Sequence, residues 1–238
     1  MCWRIYHYLR HLLHIRYRHG HRIHSPYLFE FINGVLFNAQ GTEPPSELKA
    51  WHRKLRAECP FVRQASVSRK YGALLYRISH WFRPDMIIEL GTGMGISTVY
   101  LASGSPGVPL HTIEKDPERA GIASSLIRER GAEGVHVHQG EMEEELEQIL
   151  PGIAPRYLAF VDGNHHFEPT VAYARKLLQR AGEEALIVMD DIYWSPGMQR
   201  AWKAISSWPE VRISIDVFRM GILLLRNDLP KREIKVKF

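Results

Sequence analysis

Cysteine is scarce in this 238-residue sequence, with Cys2 and Cys59 the only two. Two thiols so far apart give neither a disulfide framework nor a metal-binding spacing, so a reducing, cytoplasmic setting is expected. Long apolar runs are also missing. None approaches the roughly 20 residues that cross a bilayer. Arg4, His7, Arg10 and His11 interrupt the N-terminal stretch that a secretion signal would keep apolar. Internal repeats and low-complexity segments are absent. Acid is absent from residues 1–29, where Arg4, Arg10, Arg16, Arg18 and Arg22 stand without a lysine. Those five arginines equal the whole net charge of +5. The remainder is close to neutral, which argues against a nucleic-acid groove across it.

What is present begins with helical spacing. Ile5, Tyr8, Leu12 and Ile15 fall on one stripe of a helix expected over Trp3 to Arg18. His7, His11 and His14 share that spacing, but no carboxylate or cysteine accompanies them as a metal set would require. The plain expectation is a basic helix docked on its own domain or on a second copy in a homodimer. An acid-free, arginine-rich amphipathic helix also suits an anionic membrane surface. Ser25-Pro26 is a helix start, a capping serine before proline, with Tyr27 to Phe37 following. Further helices are expected from Ser46 through Leu55 and from Ser66 to Phe82, the latter ending before Pro84. Residues 1–65 therefore read as a helical extension and 66–238 as a second unit.

From Asp85 onward short apolar runs alternate with helical patterns, the mark of an α/β fold with a mostly parallel sheet. Strands are expected at 85–90, 110–114, 134–139, 156–161, 185–190, 211–217 and 221–226. Helices are expected at 95–103, 117–130, 141–149, 168–181 and 196–207. Only a turn around Arg219 to Gly221 separates the last two strands, so they form an antiparallel pair at the sheet edge.

The first strand runs into Glu89-Leu90-Gly91-Thr92-Gly93-Met94-Gly95 and then a helix. Strand, glycine turn and helix bring bare backbone up to a nucleotide-like ligand. Ligands in such folds sit at the carboxyl ends of the strands. Those ends carry Glu89, the glycines and Ser97, then Glu114, then Gly140-Glu141-Met142, then Asp162-Gly163-Asn164-His165-His166, then Asp190-Asp191. Glu114 lies 23 residues after Gly91, a spacing at which an acid accepts ribose hydroxyls. Acids and histidines gathered at the ends of otherwise apolar strands make an active-site distribution.

A dinucleotide fingerprint needs a third glycine where this sequence has Ile96. With Glu89 before the glycines and Glu114 beyond them, residues 66–226 instead resemble the class I S-adenosylmethionine-dependent methyltransferases. The resemblance implies a Rossmann-like, doubly wound sheet of seven strands. It implies that Glu89, Gly91, Gly93, Gly95, Ser97, Glu114, Gly140, Glu141, Met142 and Asp162 form the S-adenosylmethionine site. Asp162, Asp190 and Asp191 resemble the metal triad of the cation-dependent small-molecule O-methyltransferases of catechol and macrolide-sugar type. Asp162-Gly163-Asn164-His165 looks like their Asp-Gly-Asp-His segment but departs from it at Asn164. Three carboxylates around one site call for a cation, and oxygen ligands favour Mg²⁺. The alternative is that Asp190 or Asp191 only caps the next helix while Asp162 is a turn residue.

Methyl transfer from a sulfonium needs alignment and a deprotonated hydroxyl. His165 is the expected base, with His166 the alternative, and Asp162 is the second catalytic residue. Tyr193 and Trp194 are candidates for an acceptor wall, whereas Met198 and Trp202 read as core. The expected activity is O-methylation of a small hydroxylated acceptor. Its rivals are a nucleic-acid methyltransferase gripping with the basic arm, a catalytically idle cofactor-binding scaffold, and an NAD enzyme.

Overall fold

Residues 2–13, 25–38, 40–60, 62, 66–181 and 184–238 are described by the structure, a computed structural model. The apolar runs become strands β1 (Met86–Leu90), β2 (Leu110–Glu114), β3 (Val135–Gln139), β4 (Tyr157–Val161), β5 (Leu186–Met189), β6 (Ile213–Asp216) and β7 (Gly221–Leu224). An eighth, β8 (Arg232–Lys235), joins them. The sheet order is β3-β2-β1-β4-β5-β7-β6-β8. β3 through β5 are mutually parallel, and β7 is antiparallel to both β5 and β6. The central strands are covered on both faces, which is why they read as unbroken apolar runs.

Helices α1 (Cys2–Leu13), α2 (Pro26–Glu30), α3 (Ser46–Glu58) and α4 (Arg69–Phe82) precede the sheet. α5 (Ile96–Gly104), α6 (Pro117–Glu129), α7 (Met142–Ile149), α8 (Phe167–Arg180) and α9 (Pro196–Ser207) alternate with the strands. Adjacent strand residues feed opposite cores. Ile87 packs with α2 to α6, and Ile88 with α7 to α9. Ser25 starts α2 as expected, its hydroxyl accepting the Leu28 N–H at 3.4 Å. The helix then widens into a π-helical turn over Phe31–Leu36. α4 lies close on α5: a Cβ at Gly72 would sit 2.6 Å from the Tyr100 ring.

Two features differ from the expectations. The sheet has eight strands rather than seven, because Ile234 and Val236 turn inward and β8 pairs in parallel with β6. A four-residue, lysine- and arginine-flanked run carries little periodicity, and such charge is typical of a guarded edge strand. The second difference is α1. Its expected apolar stripe is not what docks: Ile5 is 53% and Tyr8 44% exposed, while His7 and His11 are buried. His11 Nε2 lies 3.0 Å from the Val236 carbonyl and its Nδ1 3.4 Å from Asp216 Oδ1, and His7 Nδ1 meets Gln199 Nε2 at 3.1 Å. The surface beneath sets Asp216, Gln199 and the Val236 carbonyl beside the rings of Tyr193 and Phe218, so the histidine face pairs with the polar groups and packs on the rings. Ile15, His14 and the rest of the expected helix to Arg18 fall outside the described residues. No helix among the described residues is long and apolar enough to cross a membrane.

Candidate active site

The parallel register brings the expected residues to one end of the sheet. The Asp162 N–H donates to the Leu90 carbonyl at 2.8 Å, and the Asp190 N–H to the Val161 carbonyl at 2.9 Å. The ends of β1, β4 and β5 thus stand side by side. β6 runs parallel to β5, so its turn, residues 217–220, rises at the same end. Together they enclose a cavity of about 360 Å³. Gly91, Gly93, Ser97, Glu114 and Met142 line one part; Asp162, His165, Asp191, Trp194 and Arg219 line the other.

The glycine turn is shaped for a ligand. Gly91 has φ +102°, and a Cβ there would lie 2.6 Å from the Asp162 carbonyl oxygen, so only glycine fits. The Gly93 N–H donates to Glu114 Oε2 at 2.8 Å, and the Asp116 N–H to Oε1 at 3.0 Å. That fixes the Glu114 carboxylate at the cavity wall with acceptor capacity to spare for hydroxyl groups. Glu89 is completely buried, its Oε2 accepting from the Thr98 and Thr112 hydroxyls. Its Oε1 has no hydrogen-bond partner among the described residues. Burial pushes its carboxyl up to about 7. Glu89 is thus buried outside the cavity lining, whereas Ser97, which shifts the Glu89 carboxyl through a side-chain hydrogen bond, lines the cavity.

Other expected contacts fall differently. Gly95 caps α5 with φ +75° and packs against Ile127 rather than lining the cavity. The Glu141 side chain points outward to Lys115 at 2.6 Å, so at the end of β3 it is Met142 that walls the cavity. Met198 and Trp202 are buried, and Tyr193 is held under α1 with its hydroxyl donating to Asp216 at 2.7 Å. Trp194 is 52% exposed at the cavity mouth.

The acid end departs most from expectation. Asp190 is fully buried and bound to Arg219: Nε lies 2.9 Å from Oδ1 and 3.2 Å from Oδ2, and Nη2 2.7 Å from Oδ2. Both carboxylate oxygens are therefore committed to the guanidinium fork. Asp191 Oδ1 stands 3.8 Å from Arg219 Nε and 3.6 Å from Arg4 Nη2 of α1. Burial pushes the carboxyls of Asp162 and Asp191 up, and mutual repulsion adds to it; Arg219 opposes both shifts. Among the described residues no group of three or more His, Cys, Asp or Glu side chains is arranged to hold a metal ion. The donor set Asp162, Asp190 and Asp191 thus does not fit a divalent ion, because a cation of the chain's own already stands among its oxygens.

His165 Nε2 is 3.6 Å from Asp162 Oδ1, and its ring faces Trp194 at 6.2 Å. Asn164, His165 and Asp191 all have positive φ, at +66°, +30° and +49°. Such conformations are strained for side-chain-bearing residues and gather at functional sites. Sequence reasoning missed Arg219 and Arg4. Both had a signal: Arg219 is the one basic residue between Ile213 and Leu224, in a turn at the ligand end of the sheet, and Arg4 stands in an acid-free helix.

Known proteins agree with this geometry. Residues 88–192 match the family described as a methyltransferase domain. A catechol O-methyltransferase of Niastella koreensis is 28% identical over 168 residues, 69% of this chain and 74% of that one. One from Mycobacterium tuberculosis is 30% identical over 144 residues, 60% of this chain and 62% of that one. In fold, the chain is similar to the O-methyltransferase TomG from Streptomyces achromogenes, solved in complex with SAM, with a TM-score of 0.65 and 23% identity over 81% of this chain and 96% of that one. Glycine turn, ribose-spaced acid, sheet order and relatives point the same way: residues 88–192 match a methyltransferase domain, and the chain is similar to catechol O-methyltransferases in sequence and to an O-methyltransferase in fold.

Proposed function

We propose that the protein methylates a hydroxyl oxygen of a small acceptor, with Glu89, Gly91, Gly93, Ser97, Glu114 and Met142 binding the donor and His165 accepting the hydroxyl proton. The observation that carries this reading is that Gly91, Gly93, Ser97, Glu114 and Met142 line a single cavity with His165, while Glu89 is buried outside that lining. S-adenosylmethionine bound there supplies an electrophilic methyl group on a sulfonium. The chain's residues supply alignment and proton removal, which is most of what an in-line displacement asks of a protein. His165 is within reach of an acceptor seated against Trp194, with its Nε2 3.6 Å from Asp162 Oδ1. A planar hydroxylated ring suits the half-exposed indole of Trp194, and the two catechol O-methyltransferase relatives make a catechol the natural first acceptor to try. Asp190, one of the three expected ligands of a divalent cation, has both oxygens on Arg219, and no step is routed through a metal.

The test is incubation with methyl-labelled S-adenosylmethionine and a panel of small catechols and phenols, comparing wild type with His165→Ala. His165→Ala is expected to lower kcat by about 10²- to 10⁴-fold, the usual contribution of a general base, while calorimetry shows donor affinity unchanged. A variant with full activity would remove His165 from the mechanism.

A further inference from the structure

The carboxylate cluster at the ends of β4 and β5 poses an electrostatic problem. Asp162 and Asp191 line the cavity, and Asp190, outside its lining, has no access to water. Acids this close and this buried need compensating positive charge. The resemblance supplies it as a metal ion; the structure supplies it as side chains. Arg219 grips Asp190 through two donors and approaches Asp191, while Arg4 approaches Asp191 from the other side. Together the two guanidinium groups carry the charge of one divalent ion.

Arg219 is also held in place as a structural ion would be. It stands on the β6–β7 turn, its carbonyl accepts the Ile192 N–H at 3.1 Å, and its guanidinium lies 5.5 Å from the centre of the Tyr71 ring. Of the five N–H donors of a guanidinium, the Nε–H and one on Nη2 are committed to Asp190. Those remaining belong to a side chain that lines the cavity with His165.

We propose that Arg219, seconded by Arg4, is the resident cation of this site, so that methyl transfer runs without a divalent ion and the remaining Arg219 N–H groups receive the acceptor's oxygen. This rests on the methyltransferase reading. In the step, the methyl–sulfur bond of the donor breaks as the methyl–oxygen bond forms. The hydroxyl proton passes to His165, and the sulfonium leaves as a neutral thioether. Arg219 stabilises the oxygen while it carries negative charge, the role a Lewis acid would otherwise have.

The deciding experiment reads metal binding rather than turnover. Chelator-treated wild-type protein is titrated with Mn²⁺ under electron paramagnetic resonance, alongside Arg219→Gln, Arg219→Lys and the double variant Arg219→Gln/Asp190→Asn. Wild type and Arg219→Lys are expected to show no saturable site below about 1 mM, the weak end of oxygen-ligand sites. Arg219→Gln, with its acids uncompensated, is expected to gain one Mn²⁺ site at least about tenfold tighter, because ligand charge sets such affinities, and the double variant to lose it. Melting temperature gives a second readout: wild type is indifferent to chelator, whereas Arg219→Gln melts lower and is raised by Mn²⁺. One Mn²⁺ bound saturably by wild type below about 1 mM would overturn the proposal, as would a folded Arg219→Gln that gains no site. Should Arg219→Gln fail to fold, the wild-type titration decides alone. Calorimetry of wild type with S-adenosylmethionine separates the two levels, since failure to bind the donor would overturn the methyltransferase reading whatever the metal result.

Discussion

The two ends of the cavity are built by different means. The end proposed to hold the donor is made mostly of backbone, within one strand–turn–helix unit and the acid that follows. Gly91, Gly93 and Glu114 lie within 24 residues of one another and are joined directly by the Gly93 N–H bond to Glu114. The end proposed to hold the acceptor is lined by charged side chains from three places, Asp162 after β4, Asp191 after β5 and Arg219 on the β6–β7 turn, with Asp190 buried against Arg219 and Arg4 of α1 beside Asp191. A backbone site depends on sterics and tolerates no added atom. A charge site depends on balance, and its members compensate one another.

That contrast is sharpest in substitutions that attack each end by its own weakness. Asp190→Ala leaves Arg219 without its bidentate partner and is expected to lower unfolding free energy by about 3 kcal/mol, toward the lower limit for breaking a buried pair because Arg219 keeps Asp191 and some water. Denaturant unfolding measures it. Gly91→Ala attacks the donor end by sterics alone. A left-handed backbone and a Cβ 2.6 Å from the Asp162 carbonyl are expected to cost about 1–3 kcal/mol of stability and to abolish donor binding in calorimetry. If Gly91→Ala bound the donor normally, the sterics assigned to that end would be wrong.

Next in size is a pH effect. Burial raises Glu89 from 4.5 to about 7, so the folded protein keeps a proton that the unfolded chain releases between those values. The stability this contributes is complete below about pH 4.5 and is lost as pH rises through about 7. Glu89→Gln is expected to flatten that fall, on the order of 2 kcal/mol, in melts between about pH 5 and 8. The smallest effect belongs to Arg4→Ala, which removes a half-exposed partner of Asp191 and is expected to cost no more than about 1 kcal/mol. A large loss there would make α1 an essential wall of the acceptor end rather than a supplement to its charge.

The same contrast explains what could be read from the sequence. The donor end was legible because its signals are local: an apolar run, alternating glycines and an acid at ribose spacing. Strand positions were legible for the same reason, with β2 found at its expected bounds and the others within a few residues. The acceptor end was half legible. Asp162, His165, Asp190 and Asp191 were visible as strand-end residues, but not what neutralises them, since Arg219 lies 29 residues beyond Asp190 and Arg4 lies 187 residues before Asp191. Only the sheet order brings the β6–β7 turn back to the ligand end. β8 and the histidine face of α1 were illegible likewise, because both are set by partners distant in the chain. Glu141 shows the converse limit, since a motif fixes which strand end meets the donor but not which side chain turns toward it.

The most direct measurement is methyl transfer from labelled S-adenosylmethionine to a catechol by exhaustively chelated protein, with and without restored Mg²⁺. Transfer that proceeds at the same rate in both is the expected result, with Arg219 serving as the site's cation. Transfer that stops in chelator and returns with Mg²⁺ would contradict it and restore Asp162, Asp190 and Asp191 as metal ligands.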